Sequence, residues 1–361
     1  MSKKKLDVLV VGCGNMGASH AKAYHRLDDF NIVGLVSRGP ESRERLNKEL
    51  GGGIALFSDF YEAIEKTSPD AVSISTYPTT HAEYTLASLE AGAHVFVEKP
   101  ISETVEEAEK IAATAKKVNK KVVVGYILRH HPGWKIFVDR AQTLGSPLVM
   151  RMNLNQQSTG DDWRVHKSIM EAMSPIVDCG VHYVDMMCQM TGSRPKHVHA
   201  IGARLADSLK SGMYNYGQLQ VVFEDGSVGW YESGWGPMMS EQAYVIKDVI
   251  GPRGSISIMK EGLDDQPRGA SANVEDHVTV ERLRYHPADV DANEQLTKED
   301  EIIEAPKEAD HDELCFYEQR YFLKTIQEDM DLTDHLNDVV NTLKIVLAAD
   351  ESFRTGKVVE L

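Results

Sequence analysis

The sequence predicts an α/β chain in two parts. A first domain carries a parallel sheet covered by helices, and a second, α+β domain carries a large, mostly antiparallel open sheet. Three observations support this. Residues 5–127 alternate short apolar runs with segments whose apolar residues recur every three or four positions. Those runs are apolar on both faces, as strands covered on both sides must be. From about residue 128 the rhythm changes to longer strand-like stretches with hairpin signals. At 361 residues the chain exceeds what one core usually supports, so we expect domains at 1–127 and 128–361, with the C-terminal helix able to pack back towards the first.

In order, the first domain's strands are "KLDVLVVG", "FNIVGLVS", a weak "IALFS", "DAVSIST", "HVFVEKP" and "KVVVGYI". Helical spacing lies between them, clearest in "HAEYTLASLEAG" and "TVEEAEKIAATAKKVN". In the second domain "SPIVDCGVHYVDMMCQMTG" reads as a helix. "HVHAIGARLA", "YGQLQVVFEDGSVGWYES" and "ISIM" read as strands, with Asp225-Gly226 a hairpin turn. The end returns to helix in "DELCFYEQRYFLKTIQED" and "DHLNDVVNTLKIVLAADESFRTG".

The balance of charge, −16, excludes a nucleic-acid or anionic-membrane surface. Much of it is local: residues 261–313 hold 17 acidic against 5 basic side chains and read as a solvated, loop-rich surface. No apolar run is long enough to span a bilayer, and "MSKKKLDVLVVG" runs directly into a strand rather than a secretory signal. Cys13, Cys179, Cys188 and Cys315 form no C-x-x-C, which suits a reducing cytosol and gives no disulfide framework. We expect a cytoplasmic protein.

The first strand runs into Gly12-Cys13-Gly14-Asn15-Met16-Gly17, a G-x-G-x-x-G that opens a helix. Gly12 permits the tight turn, Gly14 lets the backbone approach a pyrophosphate, and Gly17 lets helix and strand pack closely. A strand before and a helix after make this a dinucleotide loop. Where such sites usually end their second strand in an acid that binds a ribose hydroxyl, this chain has Ser37 and Arg38. Serine and arginine suit a 2′-phosphate, so NADP is favoured, with NAD possible. Ser75, Thr76, Tyr77 and His81 follow the fourth strand at the edge where ligands bind such sheets.

Glu98-Lys99-Pro100 closes the fifth strand at that same edge. Pro100 holds Lys99 extended, and an ammonium there can stabilise charge on an alcohol oxygen as hydride leaves its carbon. In the second domain Ser174 and Pro175 read as N-cap and first helical residue. Asp178, His182 and Asp185 then share one helix face. A histidine beside a carboxylate suits general-base chemistry. Gly180 inside that helix implies close approach of a ring or another backbone. Asp178, Cys179, His182 and Asp185, with His197 and His199, match no common zinc spacing, so no metal is expected.

Taken together, the glycine loop, Glu98-Lys99-Pro100 and the D-x-x-x-H of Asp178 and His182 resemble the Gfo/Idh/MocA family of glucose–fructose oxidoreductase and inositol dehydrogenase. "PTTHAEYTLASLEAGAHVFVEKP", "GYILRHHP", "DDWR" and "AADESFRTGKVV" are similar too. The resemblance implies a Rossmann domain followed by an α/β domain whose open sheet forms homodimers or homotetramers. It also implies action on a small polyol, sugar or cyclitol hydroxyl. Lys99 then polarises the substrate oxygen, His182 takes the proton, and Asp178 positions both and helps bind substrate. Arg129, Trp163 and Arg164 line the cleft, with Arg129, Glu98 and Lys99 also near the cofactor. The lead-in "EAMSPIVD" departs from the glycine-rich approach of many relatives, being stiffer and bulkier. Two readings stay beside the sugar dehydrogenase: a reductase of a non-sugar carbonyl or imine, and a non-catalytic dinucleotide-binding regulator.

Overall fold

The computed structural model describes residues 4–240, 246–260, 278–307 and 309–361. Its chain divides into two units, one of residues 1–130 with 309–340, the other of 131–308 with 341–361. Of the acidic segment 261–313, residues 261–277 and 308 lie outside the described residues.

In the first unit, six strands form one sheet: β1 (Leu6–Val11), β2 (Phe30–Val36), β3 (Leu56–Phe57), β4 (Ala71–Ile74), β5 (His94–Val97) and β6 (Val122–Val124). All pairs are parallel and the order is β3-β2-β1-β4-β5-β6. The chain reverses direction across the sheet between β1 and β4, which opens a crevice at their carboxyl ends. Helices α1 (Asn15–Arg26), α2 (Pro40–Glu49), α3 (Phe60–Thr67), α4 (His81–Glu90) and α5 (Val105–Val118) connect the strands. Their ends follow local chemistry: Asp59 caps α3 through the Glu62 amide, and Thr104 caps α5 through that of Glu107.

Where the sequence suggests one cut near residue 127, residues 309–340 belong with this unit. The physical reason is a shared core. Phe322, Leu323 and Leu332 are buried with Val10, Tyr24, Phe30 and Phe96. Phe322 comes from a helix (His311–Gln327) counted here as α10 once the second unit's helices are numbered.

The second unit holds a nine-stranded sheet: β7 (Val149–Gln157), β8 (Pro195–Ala203), β9 (Tyr216–Phe223), β10 (Val228–Gly236), β11 (Lys247–Gly251), β12 (Gly254–Met259), β13 (Arg282–Pro287), β14 (Glu301–Glu304) and β15 (Val359–Glu360). Its order is β14-β13-β12-β11-β7-β10-β9-β8-β15. Only β7 and β10 run parallel among the described pairs. The β9–β10 turn is the Asp225-Gly226 hairpin, with Gly226 at φ +85°. Helices α6 (Pro132–Gln142), α7 (Gly160–Met170), α8 (Pro175–Asp178) and α9 (Gly180–Thr191) accompany it, and α11 (Thr333–Thr355) passes from the first unit's residues into this one's. Among the described residues no helix is long and apolar enough to cross a membrane.

Candidate functional site

In the first unit the glycine loop leaves β1 at the sheet's reversal point. Gly12 has φ +98°, and a Cβ there would meet the Ser75 carbonyl oxygen at 2.3 Å. A Cβ on Gly17 would meet the Gly12 carbonyl oxygen at 1.9 Å. Both positions therefore exclude any larger residue. Gly14 is different: nothing lies within 4 Å of where its Cβ would be. It is also the N-cap of α1 and brings no capping side chain, and no acid occupies the first turn. The helix thus presents bare amides and a positive dipole end to open space, with Asn15 and Met16 as its first residues. Ser75 Oγ, at the β4 exit, is buried without a hydrogen-bond partner. These features fit a pyrophosphate.

After β2, Ser37 Oγ lies 2.9 Å from Ser42 Oγ, and the Arg43 guanidinium donates to the Ser37 carbonyl. Arg38 is exposed. Arg43 also bears on Cys13, whose thiol burial pushes up to about 11 against the pull of Arg43 and Arg45. Ser42 and Arg43 are absent from the sequence reading. Offsets of five and six from Ser37, along a loop and a helix start, could have signalled them. Thr76 Oγ1 pairs with Thr80 Oγ1 at 2.7 Å, and Tyr77 is 71% exposed.

The sequence counts His81 and Glu98 among the cofactor contacts, and both side chains are buried. His81 is buried, with Nδ1 2.7 Å from the Pro100 carbonyl oxygen and Nε2 3.1 Å from that of Thr76. Burial lowers its pKa, opposed by its hydrogen bonds to the Pro100 and Thr76 carbonyls. Glu98 accepts from His20 Nε2 at 2.7 Å and from the Lys99 amide at 3.1 Å. Lys99 is half-buried, and the Lys99–Pro100 bond is cis. Arg129, read from sequence as lining the cleft, donates to Asp338 at 3.0 Å and lies 3.1 Å from His335 Nδ1. A nearly buried guanidinium needs such a carboxylate.

His20, Cys315 and Glu318 come within 4.8 Å of one another in the same interior. Both His20 ring nitrogens already face protein partners, Glu98 and Gln319.

In the second unit Ser174 is the N-cap of α8 through the Val177 amide, and Pro175 is the first helical residue. The helix read from sequence as continuous breaks at Cys179, which ends α8 and starts α9. Asp178 and His182 are half-buried, one on each side of the break. Asp185 is buried and accepts from Gln189 at 3.1 Å. Gly180 has its ring, since a Cβ there would lie 3.1 Å from Tyr231 Cε1. Around Asp178 the structure adds groups that the sequence reading lacks. Cys179 Sγ is 3.7 Å from Asp178 Oδ2 and 3.6 Å from Gln156 Oε1, which accepts from Trp235 Nε1 at 2.7 Å. His166 stacks on Trp235 at 4.3 Å, and its Nδ1 lies 2.9 Å from Ser158 Oγ. Burial pulls His166 down to about 4 despite the opposing charge of Asp178. Its spacing of three from Trp163 on α7 could have signalled it. Trp163 lies 5.7 Å under the Lys167 ammonium, and Arg164 pairs with Asp161 in solvent.

A parallel sheet in this order, with a bare helix start at its reversal point, defines a dinucleotide-binding domain of the Rossmann type. Residues 6–126 match the oxidoreductase family with NAD-binding Rossmann fold, and residues 139–257 match the GFO/IDH/MocA C-terminal domain. The chain belongs to the GFO/IDH/MocA oxidoreductase family. It is 28% identical to myo-inositol 2-dehydrogenase of Thermotoga maritima over 61% of this chain and 66% of that one. With D-glucoside 3-dehydrogenase of Escherichia coli it shares 24% over 72% and 78%. The chain spans about half to two thirds of the length of the inositol dehydrogenases it matches. In fold it is similar to scyllo-inositol dehydrogenase of Lactobacillus casei, solved with NAD(H) and scyllo-inositol, at TM-score 0.76 and 22% identity over 99% of each chain.

Proposed function

We propose that this chain is an NAD(P)-dependent oxidoreductase moving a hydride between nicotinamide and a secondary alcohol of a sugar, sugar derivative or cyclitol. One observation carries it. The phosphate loop after β1, the Ser75 turn after β4 and Lys99 after β5 leave adjacent parallel strands at the same edge. A cation is thereby offered beside a dinucleotide crevice. The relatives' action on inositols and glucosides supports the substrate class.

Gly12, Gly14, Asn15, Met16, Gly17, Ser75 and Thr76 would hold the pyrophosphate side of the cofactor, with Tyr77 available as an exposed ring. When bound, the dinucleotide supplies the hydride acceptor. Lys99 donates a hydrogen bond to the substrate oxygen and lowers the cost of negative charge there. His182 accepts the hydroxyl proton, with Asp178 orienting it. The alcohol thus loses a hydride and a proton and becomes a ketone. Ser37, Arg38, Ser42 and Arg43 favour a 2′-phosphate, so NADP is the preferred form. Trp163 and Arg164 contact substrate. The assembly is a homodimer or homotetramer, and the compartment is the cytoplasm.

A panel of sugars and cyclitols, assayed with NAD and NADP, tests this. Turnover on at least one polyol, higher kcat/KM with NADP, and a loss of about 10²–10⁴ in kcat for Lys99→Ala are expected. No polyol turnover, or equal kcat for wild type and Lys99→Ala, rejects the reading.

A further inference from the structure

We propose that the His20–Glu98 pair is the positioning device of Lys99, holding the lysine's main chain and its charge environment from the helix that carries the phosphate loop. This rests on the reading of Lys99 as the group that meets the substrate oxygen.

The two carboxylate oxygens of Glu98 divide their work. Oε1 accepts from His20 Nε2 at 2.7 Å, and Oε2 accepts from the Lys99 amide at 3.1 Å. The strand end thus has its charged partner fixed before the lysine side chain begins. Room for the carboxyl comes from Gly125 after β6, where a Cβ would lie 3.2 Å from Glu98 Cδ and both oxygens. His20 is itself held. Its Nδ1 accepts from Gln319 Nε2 at 2.9 Å, and the Gln319 Oε1 accepts from Tyr24. That orientation of the amide leaves the ring proton on Nε2, directed at Glu98. The ring also packs on Phe96 of β5 at 4.7 Å. On the other side of Lys99, His81 binds the Pro100 carbonyl at 2.7 Å. The lysine is therefore bracketed on both sides by buried side chains.

The charge follows the same division. Titratable groups facing Glu98 are Lys99 on its own segment, His20 from α1, His81 from α4, and Glu318 and Cys315 from α10. Glu318 is buried and its Oε1 has no partner. Burial, then the charge of Glu98, push Glu318 well up, so it stays neutral and Glu98 is the ion. Burial alone would raise Glu98; the His20 hydrogen bond leads the causes that outweigh it. A carboxylate kept ionised beside Lys99 is the charge environment that the pair supplies.

The test uses the full chain and the variants Glu98→Gln, His20→Leu, His20→Gln and Gln319→Met, with Lys99→Ala as reference. The Lys99 pKa is read by NMR on reductively ¹³C-methylated protein, its resonance identified by its loss in Lys99→Ala. Glu98→Gln and His20→Leu should lower it by about half a unit or more. In turnover they should cut kcat about 10–100-fold and leave dinucleotide Kd within about threefold. His20→Gln, which keeps an N–H near Nε2, should recover kcat to within about threefold of wild type. Should His20→Leu not fold, the isosteric Glu98→Gln and the more remote Gln319→Met carry the test. An unshifted Lys99 amine in folded Glu98→Gln, or its kcat within threefold of wild type while Lys99→Ala is inactive, overturns the inference. If wild type turns over no polyol, the functional reading fails separately, and the NMR titration still decides the positioning role.

Discussion

A single buried carboxyl shows how residue-level chemistry sets a pH response. Glu318 sits in the first unit's interior without a hydrogen-bond partner on Oε1, and burial together with Glu98 raises its pKa well above 4.5. For an acid raised on folding, the native state holds its proton longer than the unfolded chain. Stability is therefore fully present below pH 4.5 and is lost as pH climbs towards the folded pKa. Glu318→Gln keeps the shape and removes that loss. Its melting temperature should equal that of wild type at pH 4 and exceed it by a widening margin as pH rises above 5. Equal pH profiles for the two proteins would show that Glu318 titrates normally. Sequence alone flagged Lys99, because a lysine ending an apolar strand demands a reason. It did not reveal His20 or Gln319, which lie 78 residues from Glu98 and 299 residues from His20 respectively. No local spacing encodes such contacts.

At the scale of elements, the glycine loop separates a folding role from a binding role. Gly17→Ala places a methyl 1.9 Å from a backbone oxygen. Helix or strand must shift, at a cost of about 2–4 kcal/mol. Gly14→Ala meets nothing; its stability should stay within about 1 kcal/mol of wild type, while the methyl occupies the space a pyrophosphate approaches and weakens dinucleotide Kd about tenfold or more. Chemical denaturation and a fluorescence titration of both variants measure the two effects. A Gly14→Ala protein with unchanged affinity would remove the pyrophosphate from this loop. The helix start at Ser174-Pro175 was legible because capping is local. The break at Cys179 was not, although Gly180 signalled the close approach that the Tyr231 ring makes. Strand β7 also escaped the sequence reading. Its apolar–polar alternation carries buried polar residues: Asn153 Oδ1 accepts from the Ile246 amide, Asn155 Nδ2 donates to Glu232, and Gln156 Oε1 accepts from Trp235 Nε1.

For the molecule as a whole, the second unit's open sheet bears on assembly. Register places Ile250 opposite Val149 and Val149 beside Val228. The three form an apolar row across β11, β7 and β10, and are 43%, 40% and 37% exposed. An apolar row on an uncovered sheet face suits a second copy of this chain. Ile250→Lys should shift the mass in light scattering towards the monomer; an unchanged mass would exclude this face. Sequence by itself determined the strand and helix rhythm of the first unit and part of the second's, with the phosphate loop and Lys99 at one sheet edge, because periodicity, glycine spacing and capping are short-range. Only the tertiary structure decided that residues 309–340 complete the first unit's core, that Glu98 bonds His20 and His81 bonds the Pro100 carbonyl, and that His166, Gln156 and Trp235 gather near Asp178. Burial and pairing between distant segments are properties of packing, and no stretch of sequence contains them.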